Sequence, residues 1–424
     1  MSLSRRFLNL IVDHRIPGSR SLSGIDLTRQ DFFNTTPTRP PHGDGSEPDV
    51  LRIPRRSSSC PRARKMRRGR RAEAAMNMER VCFPSPMFNF QAATMTSRWS
   101  INCFPLAGRE VLCVDQPQRA FLFDLDALHV VTVPDICKLK HYPISVFIPS
   151  GSNDMDGRDD SGSGSLFIME RIPEQESTGC TGNSDQFEAF VYRKNTKTFS
   201  CLPLPPPPFI RDPKYWHNPD PVPDRTKENC NKPCRPSISS YTVLGDGSEI
   251  CISVDNAGTY CFDTVRHTWR HVGDWTLPFQ GRVEYVPELK LWFGFSATNG
   301  HLAVADLPAM EDSQPQLMRT WMELTPLKGW WDTWNPHFVN LGSAKFCIAR
   351  YYHTETIGGF YGDQVLEHHF TVLTGVEIAT YARDDNSNCS GSDISSVNQV
   401  GLQMNKYKTK IYASKDGSLI KLVF

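Results

Sequence analysis

The side chains best suited to acid–base or metal chemistry are three histidines in the C-terminal part of the chain, His353, His368 and His369. Imidazole ligates divalent metals and titrates close to neutrality. His368 and His369 are adjacent, and adjacent residues of a strand point to opposite faces, so the pair does not converge on one ion and reads as part of a strand end or loop. Acids gather at 150–164, where Asp154, Asp156, Asp159 and Asp160 lie among Gly and Ser. A calcium loop needs oxygens at alternate positions, glycine at the sixth and glutamate at the twelfth. Asp154 and Asp156 fit that spacing, and Arg158 followed by Asp159 breaks it. Cys230 and Cys234 form a CxxxC with no second pair at zinc-finger spacing. The chain has no G-x-S-x-G, P-loop, dinucleotide-binding glycine pattern or H-E-x-x-H. The expectation is no catalytic residue, no cofactor and no metal site.

Two other groups point to binding. Between Arg52 and Arg71 stand ten Lys or Arg and no acid, densest at Arg62, Arg64, Lys65, Arg67, Arg68, Arg70 and Arg71. Clustered cations gain affinity for phosphates by releasing counterions, and such runs also serve as nuclear-import signals; a solvated tail is the plainer reading. Trp330, Trp331 and Trp334 lie in KGWWDTWNP, and Tyr215 and Trp216 in a Pro-rich stretch. Exposed aromatic loops of this kind anchor protein partners. Trp269 and Trp292 occupy equivalent places in a repeat and read as packing.

That repeat is a short apolar run, a polar turn and a second apolar run. RAFLFDLDALHVVTVP (119–134), FEAFVYRKNTKTFSCLPLP (187–205) and TYCFDTVRHTWRHV (259–272) each read as a β-hairpin, and 301–306 with 321–324 forms a weaker copy. A further strand-like run precedes each, at 111–114, 166–169, 249–254 and 291–295. Copies begin near residues 101, 143, 241 and 281, compatible with the roughly 40–50 residues of a propeller blade with loop insertions. The runs are apolar at consecutive positions, as in Ala120, Phe121, Leu122 and Phe123, which suits sheets covered on both faces. No amphipathic helical segment recurs between strands, so an α/β fold is disfavoured. Three stretches, 35–75, 150–164 and 205–239, lack apolar periodicity and are expected to be mobile. The last residues, KIYASKDGSLIKLVF, read as a hairpin turning at Asp416 and Gly417. Phe7 to Val12 is expected to meet the C-terminal strands in one blade and so close a ring.

The chain has 424 residues, 39% of them hydrophobic and 22% charged, with a formal net charge of +1. That is enough apolar material for a large core and no global field toward nucleic acid or an anionic membrane. No apolar run reaches the length of a spanning helix. Arg5 and Arg6 precede an apolar patch too short for a secretory signal, although Ser, Arg and Leu near the start leave mitochondrial import open. Thirteen cysteines, many inside apolar runs, point to a reducing compartment, cytoplasmic or nuclear.

The phrases SRWSINCFPLAGREVLCVDQPQRAFLFD, GTYCFDTVRHTWRHVGDWTLPF and VEYVPELKLWFG resemble a grass-plant family of uncharacterised proteins with kelch-like or F-box-associated β-propeller character. The resemblance spans about residues 1–34 and 81–424, and it implies the fold without an activity. The chain departs from it in the basic insertion, in the absence of an F-box-like helical segment, and in the absence of the kelch Gly-Gly pair from the repeat copies above. The combined expectation is an all-β, kelch-like β-propeller of about six blades closed by N- and C-terminal strands. Residues 1–34 contribute closure strands, 35–80 form a disordered basic insertion, and 81–424 form the propeller. The expected function is a monomeric, non-enzymatic scaffold for a protein partner, with no membrane association. The alternatives are a carbohydrate-active or other enzyme with its site in the propeller channel, and a nuclear protein bound to nucleic acid through the basic insertion.

Overall fold

The structure, a computed structural model, describes residues 5–16, 18–30, 32–33, 78–81, 85–92, 101–150, 162–177, 179, 182–194, 196, 198–216, 235–307, 313–358, 364–382, 400–414 and 417–424. The basic run Arg62–Arg71, Cys230, Cys234 and the acids Asp154–Asp160 lie outside them. The described residues form strands and three short 3₁₀ turns, with no α-helix. The chain divides into two compact units, one of Ile16–Ser19 and Phe90–Trp321, the other of the remaining segments.

The N-terminal strands β1 (Phe7–Asp13), β2 (Ser19–Asp26) and β3 (Phe88–Gln91) pair in sequence order. Four antiparallel meanders follow. The first is β4 (Ile101–Pro105), β5 (Glu110–Asp115), β6 (Ala120–Asp124) and β7 (His129–Val133). The second is β8 (Pro143–Pro149), β9 (Gly164–Glu170), β10 (Ser184–Arg193) and β11 (Thr198–Leu204). The third is β12 (Ile238–Leu244), β13 (Glu249–Val254), β14 (Gly258–Asp263) and β15 (Thr268–Gly273), and the fourth β16 (Phe279–Val286), β17 (Leu291–Ser296), β18 (Leu302–Ala305) and β19 (Leu317–Trp321). A two-residue parallel pairing, Ser240 with Gly281 and Tyr241 with Arg282, joins the last two into one eight-stranded sheet. The four expected repeat starts coincide with β4, β8, β12 and β16.

The hairpins repeat because their turns repeat. At the β6–β7 turn the Asp124 carboxylate accepts the N–H groups of Asp126 and Ala127 at 2.9 and 3.0 Å. Asp263 does the same for Val265 and Arg266 at the β14–β15 turn. An aspartate that satisfies the amides two and three residues on fixes where the chain reverses. Leu128 and His267 then take the left-handed conformation that completes each turn.

Side chains of the central strands sort by parity. Leu166, Ile168, Phe190 and Tyr192 of β9 and β10 pack with Leu112, Val114 and Leu122 of the first meander. The intervening Phe167, Met169, Phe187 and Ala189 pack with Ile250, Ile252 and Phe262 of the third. Cys251 and Cys261 turn the other way, toward Phe279 and Trp292. At roughly 1.5–3 kcal/mol per buried large apolar side chain, these seams are the main source of stability in this unit.

One polar cluster sits at the first seam. Glu188 of β10 is fully buried and binds the ammonium of Lys140, itself 2% exposed. Its second oxygen accepts the Cys137 amide N–H at 2.8 Å and the Cys201 S–H at 3.1 Å. The pair pins the β7–β8 connection onto the second sheet.

In the other unit, β20 (Trp331–Gly342), β21 (Lys345–Gly358), β22 (Gln364–Ala382) and β23 (Val400–Tyr412) form a meander of long strands. The last strand, β24 (Leu419–Val423), pairs with β1, setting Leu10 against Val423 and Asp13 against Leu419. The expected Lys410–Phe424 hairpin is therefore wrong. β23 completes the sheet of β22, where Lys410 meets Glu79 at 2.8 Å, while Ile420 and Val423 enter a core with Leu8 and Leu10 of β1. The expected mobility of 205–239 is also corrected for its first part. Phe209 and Ile210 are buried in the seam of the second and third meanders, and Trp216 donates its indole N–H to the Phe209 carbonyl at 3.0 Å.

Glu188→Ala strands a buried ammonium and is expected to lower unfolding free energy by about 3–5 kcal/mol in urea, while Lys140→Met with Glu188→Leu costs far less. On β20, His337 meets the Tyr351 hydroxyl at 2.6 Å, and burial pushes its pKa down to about 4. The unfolded chain takes up that proton near pH 6.5, whereas the folded one resists until about 4. Stability contributed by neutral His337 is thus complete above that range and lost as pH falls through it. Urea titrations of His337→Gln across this window are expected to show a flatter pH dependence than the wild type.

Candidate functional site

The parallel contact of β12 with β16 places the first strands of two meanders side by side, with β8 close by. Between them lies an open cleft of about 470 Å³. Arg282 and Glu284, two apart on β16 and so on one side of it, form an ion pair at 3.0 Å. Tyr241 stands beside Arg282 in register, and burial raises its pKa, keeping a phenol that can donate. Tyr285 and Trp292 pair across β16 and β17 with ring centroids 4.6 Å apart. Trp292 is 9% exposed, and its indole N–H has no hydrogen-bond partner among the described residues. A buried donor without a partner costs about 1–3 kcal/mol, so it marks a place where a ligand acceptor gains.

The β12–β13 turn closes one side against β8. Gly247 has a φ of +100°, and a Cβ there would come within 2.5 Å of the Ile148 side chain, so only glycine lets the turn sit this close. The described acids of the cleft are Asp246 and Glu284. The lining offers a guanidinium, a paired carboxylate, phenols, an unpaired N–H and apolar walls from Phe147 and Val146.

The residues singled out from sequence fall elsewhere. Trp330 is not in an exposed loop: it is buried against Tyr352 and Phe370, with centroids at 5.1 and 4.8 Å. Trp331 and Trp334 begin strand β20 and are 58% and 37% exposed. Lys421 lies 3.8 Å over the Trp334 ring. Tyr215 packs on the second seam, where Tyr260 donates to its hydroxyl at 3.4 Å. Tyr215 and Trp216 are thus half-buried packing residues of one unit, and the three tryptophans belong to the other. The cleft residues escaped sequence reading because nothing in the chain marks that β12 and β16 pair; Trp292 was legible as packing, but its unpaired N–H was not.

Among the described residues, two clusters carry metal-ligand atoms. Cys137, Cys201 and Glu188 lie together, with the sulfurs 3.7 Å apart. Burial and the Glu188 carboxylate push the Cys201 thiol up, and Lys140 already occupies that carboxylate, so the trio is a poor cation site. On β21 and β22, His353, Glu355 and Glu367 bring ligand atoms within 4.8 Å of one another.

Trp292→Phe removes the unpaired N–H while leaving most of the ring, and is expected to change stability by less than about 1.5 kcal/mol, whereas Trp292→Ala costs about 3–5 kcal/mol in urea denaturation.

No curated protein matches the chain. Among solved structures, a structural genomics protein of unknown function from Bacteroides thetaiotaomicron VPI-5482 is 10% identical at a TM-score of 0.31, covering 63% of this chain. The present chain spans about half, 54%, of that protein's length. The Myceliophteria thermophila Cps50 (Swd1) β-propeller domain is 7% identical at a TM-score of 0.32, covering 69% of this chain and 83% of its own. The complex of fission yeast SREBP-SCAP binding domains gives 10% identity and a TM-score of 0.31, covering 88% and 93%. A family model described as a protein of unknown function, DUF1668, matches residues 5–412, and the chain belongs to that family.

Proposed function

We propose that the chain is a non-enzymatic binding module, its four-stranded meanders the blades of one propeller of about six, and that the cleft beside β12 and β16 receives a partly apolar segment of a protein partner that offers hydrogen-bond acceptors. The observation that carries this reading is the pairing of Arg282 with the buried, unpartnered Trp292 N–H in one cleft. The indole N–H donates to a carbonyl of such a segment, and the guanidinium N–H groups that Glu284 does not use are further donors. Tyr285 and Phe147 supply apolar contact area. Hydrolysis by paired carboxylates needs one free to act as base or nucleophile and one held protonated. Glu284 is instead ion-paired with Arg282, which favours recognition over catalysis.

Selection of a displayed random-peptide library on the purified full chain tests the reading. Peptides that set hydrogen-bond acceptors beside an apolar residue are expected to enrich, and their affinity to fall at least about tenfold on Arg282→Ala. No enrichment, or equal affinity for the variant, sinks the cleft as the recognition site.

A further inference from the structure

The long hairpin of β21 and β22 carries a constellation that the cleft does not use. Its ladder runs unbroken from Lys345 opposite Glu377 to Gly358 opposite Gln364. In that register His353 stands opposite His369, and Glu355 opposite Glu367. Residues two apart on a strand share a face, so the segment His353-Thr354-Glu355 and the segment Glu367-His368-His369 place two imidazoles and two carboxylates on one side. Thr354 and His368 take the other side, where His368 Nε2 lies 3.0 Å from the Thr356 hydroxyl.

The distances suit a shared cation. His369 Nε2 is 3.2 Å from Glu367 and His353 Nε2 is 3.9 Å from Glu355. The two imidazole rings have centroids 5.5 Å apart. Tetrahedral zinc with N and O ligands at about 2.0–2.2 Å sets neighbouring donor atoms roughly 3.3–3.6 Å apart. The His353, Glu355 and Glu367 donors lie within 4.8 Å of one another, and both glutamates are about half exposed, with room to turn inward; His369 stands outside that trio, reached through Glu367.

The charges give a separate argument. Like charges directly opposite on paired strands repel, and Glu355 and Glu367 are such a pair. Among the described residues neither has a Lys or Arg partner; their ion-pair partners are His353 and His369. Thr333 Oγ1 lies 3.5 Å from His353 Nδ1, within reach of the hydrogen bond that orients a ligating imidazole through its far nitrogen.

We propose that His353, Glu355, Glu367 and His369 form a binding site for a divalent transition metal of the zinc type, clamping the ends of β21 and β22 away from the β21–β22 core. Zinc titration calorimetry on the full chain, stripped by chelator and kept reduced, tests this. One saturable step is expected, weakened more than about tenfold by His353→Ala, by His369→Ala and by the near-isosteric Glu367→Gln. His368→Ala, one residue away on the opposite face, is expected to leave it within about twofold. Zinc is likewise expected to raise the melting temperature of the wild type and of His368→Ala, but not of His353→Ala. The proposal is overturned by the absence of a saturable step, by a step indifferent to all three ligand variants, as cysteine-bound zinc would give, or by an equal loss in His368→Ala.

Discussion

Strands β9 and β10 are covered on both sides, by the first meander across one face and by the third across the other, and the parity of their side chains decides which residue goes where. A slip of one residue in either strand would exchange every Leu166-type contact for a Phe167-type contact, so register and packing are one constraint. It removes the wet face that most antiparallel sheets keep, and with it the usual place for polar side chains along a strand. Polar chemistry in this unit is left to strand ends, turns and the first strand of each meander.

Several polar groups that do enter the interior meet a specific partner there. Glu188 spends both oxygens on Lys140, the Cys137 amide and Cys201. Ser253 bonds Thr259 and accepts the Leu277 amide, which carries the third meander into the fourth. In the other unit Arg350 meets Glu323, 1% exposed, across the segment that leads into β20. Such pairs add little net stability over apolar replacements, yet each fixes one connection in one place. Trp292 is one of several buried groups with an unpartnered polar atom among the described residues, and it is the one whose indole lines the cleft.

The two places where side chains converge arise from pairing between strands. Arg282 meets Tyr241 only because β16 runs parallel to β12, and His353 meets His369 only because β21 and β22 share an unshifted ladder. The His353-x-Glu355 and Glu367-x-His369 spacings put each pair on one face only once both segments are strands. His368 and His369 point to opposite faces, within β22 rather than at a strand end or in a loop, and the residue opposite each is set by the ladder with β21.

The linear chain determined its own strands and turns. Consecutive apolar residues such as Ala120–Phe123 require cover on both faces, and Asp124 and Asp263 bind amides two and three positions on, so both signals act within a few residues. Tertiary structure decided partners. Trp330 lies buried while its neighbour Trp331 is exposed, because the facing surface is made by Tyr352 and Phe370. The final strand left β23 for β1, across the whole length of the chain, because burying Ile420 and Val423 beside Leu8 and Leu10 depends on a surface that exists only once the N-terminal strands are in place. Short-range hydrogen bonds are written in adjacent residues; cover for an apolar face comes from wherever the fold brings one.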